Sequence, residues 1–168
     1  LEQSSSVKLS IALHESKNDL NLGVVQISHG MAEHMGRYSH FINHLNDEGF
    51  HVIIHNHRGH GDRLVDNKIG FFASSGGWQL IVDDLVSVHN WAVNQYPELP
   101  HILMGHSMGS WAALSALQGK TKFDLALISG SSKPKTLETF FQKLLVKFET
   151  IRFGPSGYSN FLHKIIFG

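Results

Sequence analysis

The chain has 168 residues, 42% of them apolar and 17% charged, a globular balance long enough for one domain with a sizeable core. Lys plus Arg equals Asp plus Glu at 14 each, so no excess charge draws the protein to nucleic acid or to an anionic membrane. Cysteine is absent, which excludes disulfides, thiolate catalysis and cysteine-ligated zinc and suits a reducing, cytoplasmic setting.

The opening "LEQSSSVKLS" lacks the basic start and apolar stretch of a signal peptide, and no later run approaches the length of a membrane span. It also lacks an initiator Met, so a processed or excised chain is expected. Residues 7–14 alternate loosely and read as a strand, and "LGVVQISHG" (22–30) reads as a buried strand ending in glycine. Tyr38, Phe41, Ile42 and Leu45 then recur at helical spacing, and Gly49 ends that helix. "FHVIIHNHRG" (50–59) is the next strand, and the Gly- and Ser-rich residues 60–77 read as a loop. Trp78, Ile81, Leu85, Val88 and Ala92 form a second helical stripe, with Asp83 and Asp84 off it and Pro97 and Pro100 beyond its end. "HILMGHS" is a strand, 108–119 a helix and "FDLALISG" (123–130) a further strand. Strands alternating with helices at these lengths imply right-handed crossovers and an α/β fold, a mostly parallel sheet with flanking helices. Functional loops of such a sheet gather at the carboxyl ends of its strands. Here those ends read "SHGMAEH", "HNHRGHG" and "GHSMG".

The third end contains Gly105-His106-Ser107-Met108-Gly109, a G-x-S-x-G pentapeptide between a strand and a helix. Glycines at both places allow a sharp turn in which a Cβ would strike neighbouring backbone. Ser107 would project above the sheet edge at a helix N-terminus, where dipole and free N–H groups favour developing negative charge. Acyl transfer by serine passes through a tetrahedral oxyanion that needs two aimed donors. The N–H of Met108 is one candidate; His29-Gly30-Met31 lies where the second loop is expected, making the N–H of Met31 the other. A structural turn with an incidental serine stays open at this point.

"HGMAEHMGRY", "HNHRGHG", "IGFFASSGGW" and "GHSMGS", in this order, resemble the α/β-hydrolases, specifically their monoacylglycerol lipase and lysophospholipase-like branch. The resemblance spans residues 22–130 and departs at Asn56, where the family usually has Asp, which puts an ion pair with Arg58 or a neighbour in doubt. It implies Ser107 as nucleophile, Met31 and Met108 as oxyanion hole, and His29, Gly30, Gly105, His106 and Gly109 as supporting motif residues. It also implies single-chain acyl esters as substrates, no metal and no cofactor. Residues 1–130 would be the amino-terminal part of the hydrolase core, and 131–168 the start of a lid able to touch a membrane surface transiently.

A nucleophilic serine needs a base and an acid, which in this fold follow it in the order acid, then histidine. After Ser107 the acids are Asp124, Glu138 and Glu149 and the sole histidine is His163. Asp124 begins its strand, at the wrong end of the sheet. Glu138 and Glu149 fall in a helix with the apolar stripe Leu137, Phe141, Leu144, Phe148 and Ile151, followed by Pro155 and Gly157. The chain is therefore expected to lack its triad acid and histidine. His29, His34, His57 and His60 offer a base only out of fold order, and His106, adjacent to Ser107, should not face it. His55, His57 and His60 also raise a zinc reading. Alternation puts His55 and His57 on one face at different depths, and loop histidines commonly bind backbone, so no metal site is expected. The alternatives are an inactive relative that binds lipid or a partner, and a peptidase or acyltransferase on the same fold.

Overall fold

A computed structural model describes residues 7–119, 121–132, 136–154 and 157–167. Contacts divide the chain into two units, Leu1–Ser131 and Ser132–Gly168. The first is built on a five-stranded sheet: β1 (Ile11–His14), β2 (Gly23–Ser28), β3 (Phe50–His55), β4 (His101–His106) and β5 (Leu125–Ser129), in the spatial order β1-β3-β2-β4-β5. β3, β2, β4 and β5 run parallel, with Val25 level with Val52 and with Ile102, and Ile102 level with Leu125. β1 is antiparallel to β3. The expected mostly parallel sheet is the one observed.

α1 (Ser39–Asp47), α2 (Gly77–Gln95) and α3 (Met108–Gln118) supply the crossovers. β2 is buried along its whole length because both faces are covered, which is why it reads as a continuous apolar run and not as an alternation. On one face Val25, Ile27, Val52 and Ile54 pack on Ile42 of α1. On the other, Val24 and Ile53 pack on Val88 and Ala92 of α2, while Leu103 packs between Ile81 and Leu85 of α2 and Ala112, Ala113 and Ala116 of α3. The alanines let α3 lie close to the sheet.

Three expectations need correction. Residues 7–10 are not strand: Arg63 takes the carbonyls of Val7 and Lys8 at 3.4 and 3.1 Å, so they bond to a guanidinium instead of a ladder. Of the α1 stripe only Ile42 is fully buried; Phe41 is exposed and Asn46 is buried, where its amide binds the carbonyls of His14 and Phe50. Asp84, placed off the α2 stripe, is buried and faces two arginines.

The second unit contains α4 (Thr136–Phe153) and α5 (Asn160–Phe167). Leu144, Phe148 and Ile151 of the expected stripe are exposed, as are Phe161 and Ile165. The side chains of Leu137 and Phe141, and the whole of Pro155, lie outside the described residues. Glu149 accepts hydrogen bonds from Arg152 at 2.8 Å and from the Ser159 hydroxyl.

Candidate active site

Ser107 sits between the last residue of β4 and the first of α3, at φ 51° and ψ −119°. Such a positive φ is strained for any residue with a Cβ. The surroundings enforce it. Ser107 N–H donates to the Ser129 carbonyl at 2.9 Å, and Ser110 N–H returns to the Ser107 carbonyl at 2.9 Å. A Cβ at Gly105 would lie 2.6 Å from the Gly109 carbonyl oxygen, and one at Gly109 would lie 2.0 Å from that of Ser28. Only glycine permits the approach at either place. The resulting elbow leaves the Ser107 side chain exposed, with no hydrogen bond to Oγ among the described residues.

The turn that follows β2 comes to the same place. A Cβ on Gly30 would lie 3.2 Å from Ser107 Cβ and 3.0 Å from Glu33 Oε2. Gly30 N–H donates to Glu33 Oε2 at 2.8 Å, which also accepts the Tyr38 hydroxyl at 2.8 Å. Burial pushes the Glu33 carboxyl up, but these two donors together with the nearby His106 and Arg37 bring the net shift downward, so the group is held as carboxylate. Tyr38 is pushed up by burial and by that carboxylate. Further along, Ala32 N–H donates to His60 Nε2 at 3.2 Å and Met35 N–H to Asn56 Oδ1 at 2.7 Å. The N–H of Met31, between two engaged neighbours, has no partner among the described residues, and neither does that of Met108 at the first position of α3.

The histidines divide into three kinds. His29 is buried with both nitrogens engaged: Nε2 accepts His57 N–H at 3.0 Å, so Nδ1 carries the proton given to the Gly30 carbonyl at 2.8 Å. Burial lowers its pKa to about 4, so it stays neutral. His60 is likewise committed at both nitrogens, to Ala32 and to the Arg58 carbonyl at 2.9 Å. His55 and His57 are both fully buried, not at different depths, because each faces the packed interior behind the turns; their rings meet edge to face at 5.1 Å. Burial holds His57 far below its usual range and His55 at about 3. His106 directs Nδ1 toward Ser129 Oγ at 3.3 Å. Of the three histidines of the zinc reading, His60 has both nitrogens engaged, and among the described residues no group of three or more metal-ligating side chains is assembled.

Asp84, Asn56, Glu33 and Tyr38 are the residues whose structural work the motifs did not announce. Asp84 pairs with Arg58 and Arg63, each at 3.0 Å, so Asn56 is not the partner of Arg58. Asn56 instead bridges Met35 N–H and, at 2.7 Å, Asp62, a double role that an Asp could not fill because it cannot donate to Asp62. Glu33, three residues after Gly30 and returning to its N–H, repeats the spacing of a capping box, which was the available signal. Asp124 accepts His101 N–H at 2.7 Å, at the end of β4 opposite Ser107. Glu149 and His163 belong to the second unit and Glu138 lies in its first helix.

A sequence model of the serine aminopeptidase S33 family matches residues 21–154. The monoglyceride lipase of Rattus norvegicus is 33% identical over 129 residues, covering 73% of this chain and 41% of that protein. The monoacylglycerol lipase of Mycolicibacterium smegmatis is 39% identical over 87 residues, covering 52% and 29% respectively. The solved carboxyl esterase of Bacillus coagulans superposes with a TM-score of 0.77 at 26% identity, over 97% of this chain and 53% of that one. The chain thus spans about half or less of the proteins it matches. No helix among the described residues is long and apolar enough to cross a membrane. With a strained serine elbow, a glycine turn beside it and these matches across most of its length, the chain belongs to the serine aminopeptidase S33 family of α/β-hydrolases.

Proposed function

We propose that this chain carries the nucleophile and oxyanion half of an esterase for single-chain acyl esters, monoacylglycerols or lysophospholipids. Ser107 Oγ attacks the ester carbonyl and its proton passes to a base. The N–H groups of Met31 and Met108 hold the oxyanion. The carbon–oxygen bond to the alcohol breaks, the alcohol leaves with that proton, and water then releases the acyl group as the acid. Base and acid come from outside this chain, in the part of the fold its relatives have and it does not span. Residues 131–168 begin a lid whose exposed Leu144, Phe148 and Ile151 touch a lipid surface transiently. The setting is a reducing one, the cytoplasm.

The observation that carries the reading is the backbone of Ser107 at φ 51° and ψ −119°, a strained elbow that sets a bare hydroxyl beside the Gly30 turn. The names of the relatives support the substrate class. The family's description as a peptidase keeps a second reading, cleavage of an aminoacyl amide by the same serine.

The test uses the complete protein that carries residues 1–168. It is treated with a fluorophosphonate, digested, and mapped by mass; it is then assayed on a monoacylglycerol, a lysophospholipid and an aminoacyl anilide. Labelling of Ser107 with turnover of the acyl esters is expected. Label elsewhere removes the nucleophile assignment, and turnover confined to the anilide replaces esterase with peptidase.

A further inference from the structure

The turn that carries Met31 contains Ala32 at φ 58°. An alanine adopts this left-handed conformation only at a cost of about 1 kcal/mol, so something must hold the turn. Local contacts hold only its first residue, through Glu33 and Gly30. The next contact comes from 28 residues away, where Ala32 N–H meets His60 Nε2 at 3.2 Å. His60 is itself oriented, because its Nδ1 lies 2.9 Å from the Arg58 carbonyl. A backbone N–H can only donate and a carbonyl can only accept. His60 must therefore be neutral, with its proton on Nδ1 and a lone pair on Nε2. Burial lowers its pKa, which favours that neutral form. Arg58 is fixed in turn by Asp84 through contacts of 3.0 and 3.4 Å. A chain of contacts thus runs from α2 through Asp84, Arg58 and His60 to the residue that follows the candidate oxyanion donor.

We infer that His60 is a positioning residue for the oxyanion turn: its Nε2 lone pair fixes Ala32 N–H, and so aims the neighbouring N–H of Met31. The inference rests on the proposed role of Ser107 and Met31. It assigns His60 no contact with substrate and no proton transfer.

Two substitutions separate this role from a general packing role. In His60→Gln the terminal amide reaches the place of Nε2 and can offer Ala32 an acceptor. In His60→Asn the amide reaches only the place of Nδ1, keeping the Arg58 contact and losing Ala32. In the complete protein, H60N is expected to lower kcat about 10²-fold with KM changed less than about twofold, the scale of a misplaced catalytic group. H60Q should retain kcat within about tenfold of wild type, well above H60N. Nitrogen-15 spectroscopy of the unsubstituted protein gives a reading that needs no variant to fold: His60 should carry its proton on Nδ1 and none on Nε2. A proton on Nε2, or equal kcat for H60N and H60Q with Ser107 still labelled by fluorophosphonate, overturns the assignment. Absence of Ser107 labelling in wild type overturns the underlying esterase reading instead, and with it the catalytic meaning of this turn.

Discussion

The turns that follow β2 and β4 both end strands of the same parallel sheet, and they meet at Ser107, yet they are held by different means. The β4 turn is held by backbone and by missing side chains: Gly105 and Gly109 allow contacts that a Cβ would occupy, and backbone bonds at Ser107 and Ser110 close the elbow. The β2 turn is held by side chains, several of them distant: Glu33 on Gly30, His60 on Ala32 and Asn56 on Met35. One turn is therefore sensitive to steric bulk, the other to charge, proton and hydrogen-bond chemistry. The β4 turn carries the candidate nucleophile and the β2 turn the second candidate oxyanion donor.

The largest separation should come from Ser107→Ala. In the complete protein it should lower kcat by about 10⁶, the scale seen when a triad serine is lost, while the β2 turn stays intact. Steady-state ester hydrolysis measures this, and a loss of less than about tenfold would show that the elbow does not carry the nucleophile.

Next in size is Asp84→Ala, which acts on the β2 side alone. It strips Arg58 and Arg63 of their shared buried carboxylate, and removing one partner of such a network costs about 3–5 kcal/mol. Urea denaturation should show that loss. A change below about 1 kcal/mol would mean that water replaces the carboxylate and that the loop is not anchored through α2.

Gly109→Ala acts by volume, from the β4 side onto the end of β2 and the His29 carbonyl, 2.5 Å from the added Cβ. Its Cβ would stand 2.0 Å from the Ser28 carbonyl, so α3 must move away from β2, at a cost of about 1–3 kcal/mol for an overpacked site. Unfolding and fluorophosphonate labelling rates should both report it. Unchanged labelling would show that the elbow tolerates the shift.

Per histidine and per pH unit, the smallest effect distinguishes the two turns by pH. His29, His55 and His57, behind the β2 turn, are neutral in the fold with lowered pKa, about 4 for His29 and about 3 for His55. Unfolded, each returns to about 6.5 and takes up a proton the folded state refuses. Stability is therefore constant above about pH 6.5 and falls as pH drops toward 4, by up to about 1.4 kcal/mol per pH unit for each histidine involved. Denaturation midpoints at pH 7, 6 and 5 should decline accordingly, and His55→Leu should make the decline shallower. An identical slope in that variant would show that His55 is protonated in the fold.

Much of this was legible along the chain. The strands around Val24, Val52, Ile102 and Leu125 announce themselves as short β-branched or apolar runs, and α2 by its stripe, because burial on a regular element imposes a period on the residues. The elbow was legible because its requirements are local: glycine at two fixed offsets from a serine, between a strand and a helix. The partners of the β2 turn were not. Asp84 was set aside as a polar neighbour of an apolar stripe, and His55 was assigned a different depth from His57. Residues 7–10 were read as strand although their carbonyls bind Arg63. Asn56 was noticed as a departure, but its two partners are 21 and 6 residues away, at no repeating distance.

The sequence by itself determined the sheet, its direction and the place where a serine would be exposed, since periodicity and glycine stereochemistry act within a few residues. Only the tertiary structure decided which buried polar groups pair and which nitrogen of His60 must carry the proton. It also left Met31, between Gly30 and Ala32, with an N–H that has no partner among the described residues. Those choices follow from close approach between β2, the loop after β3 and α2, where a buried donor or acceptor must find a partner regardless of its distance along the chain.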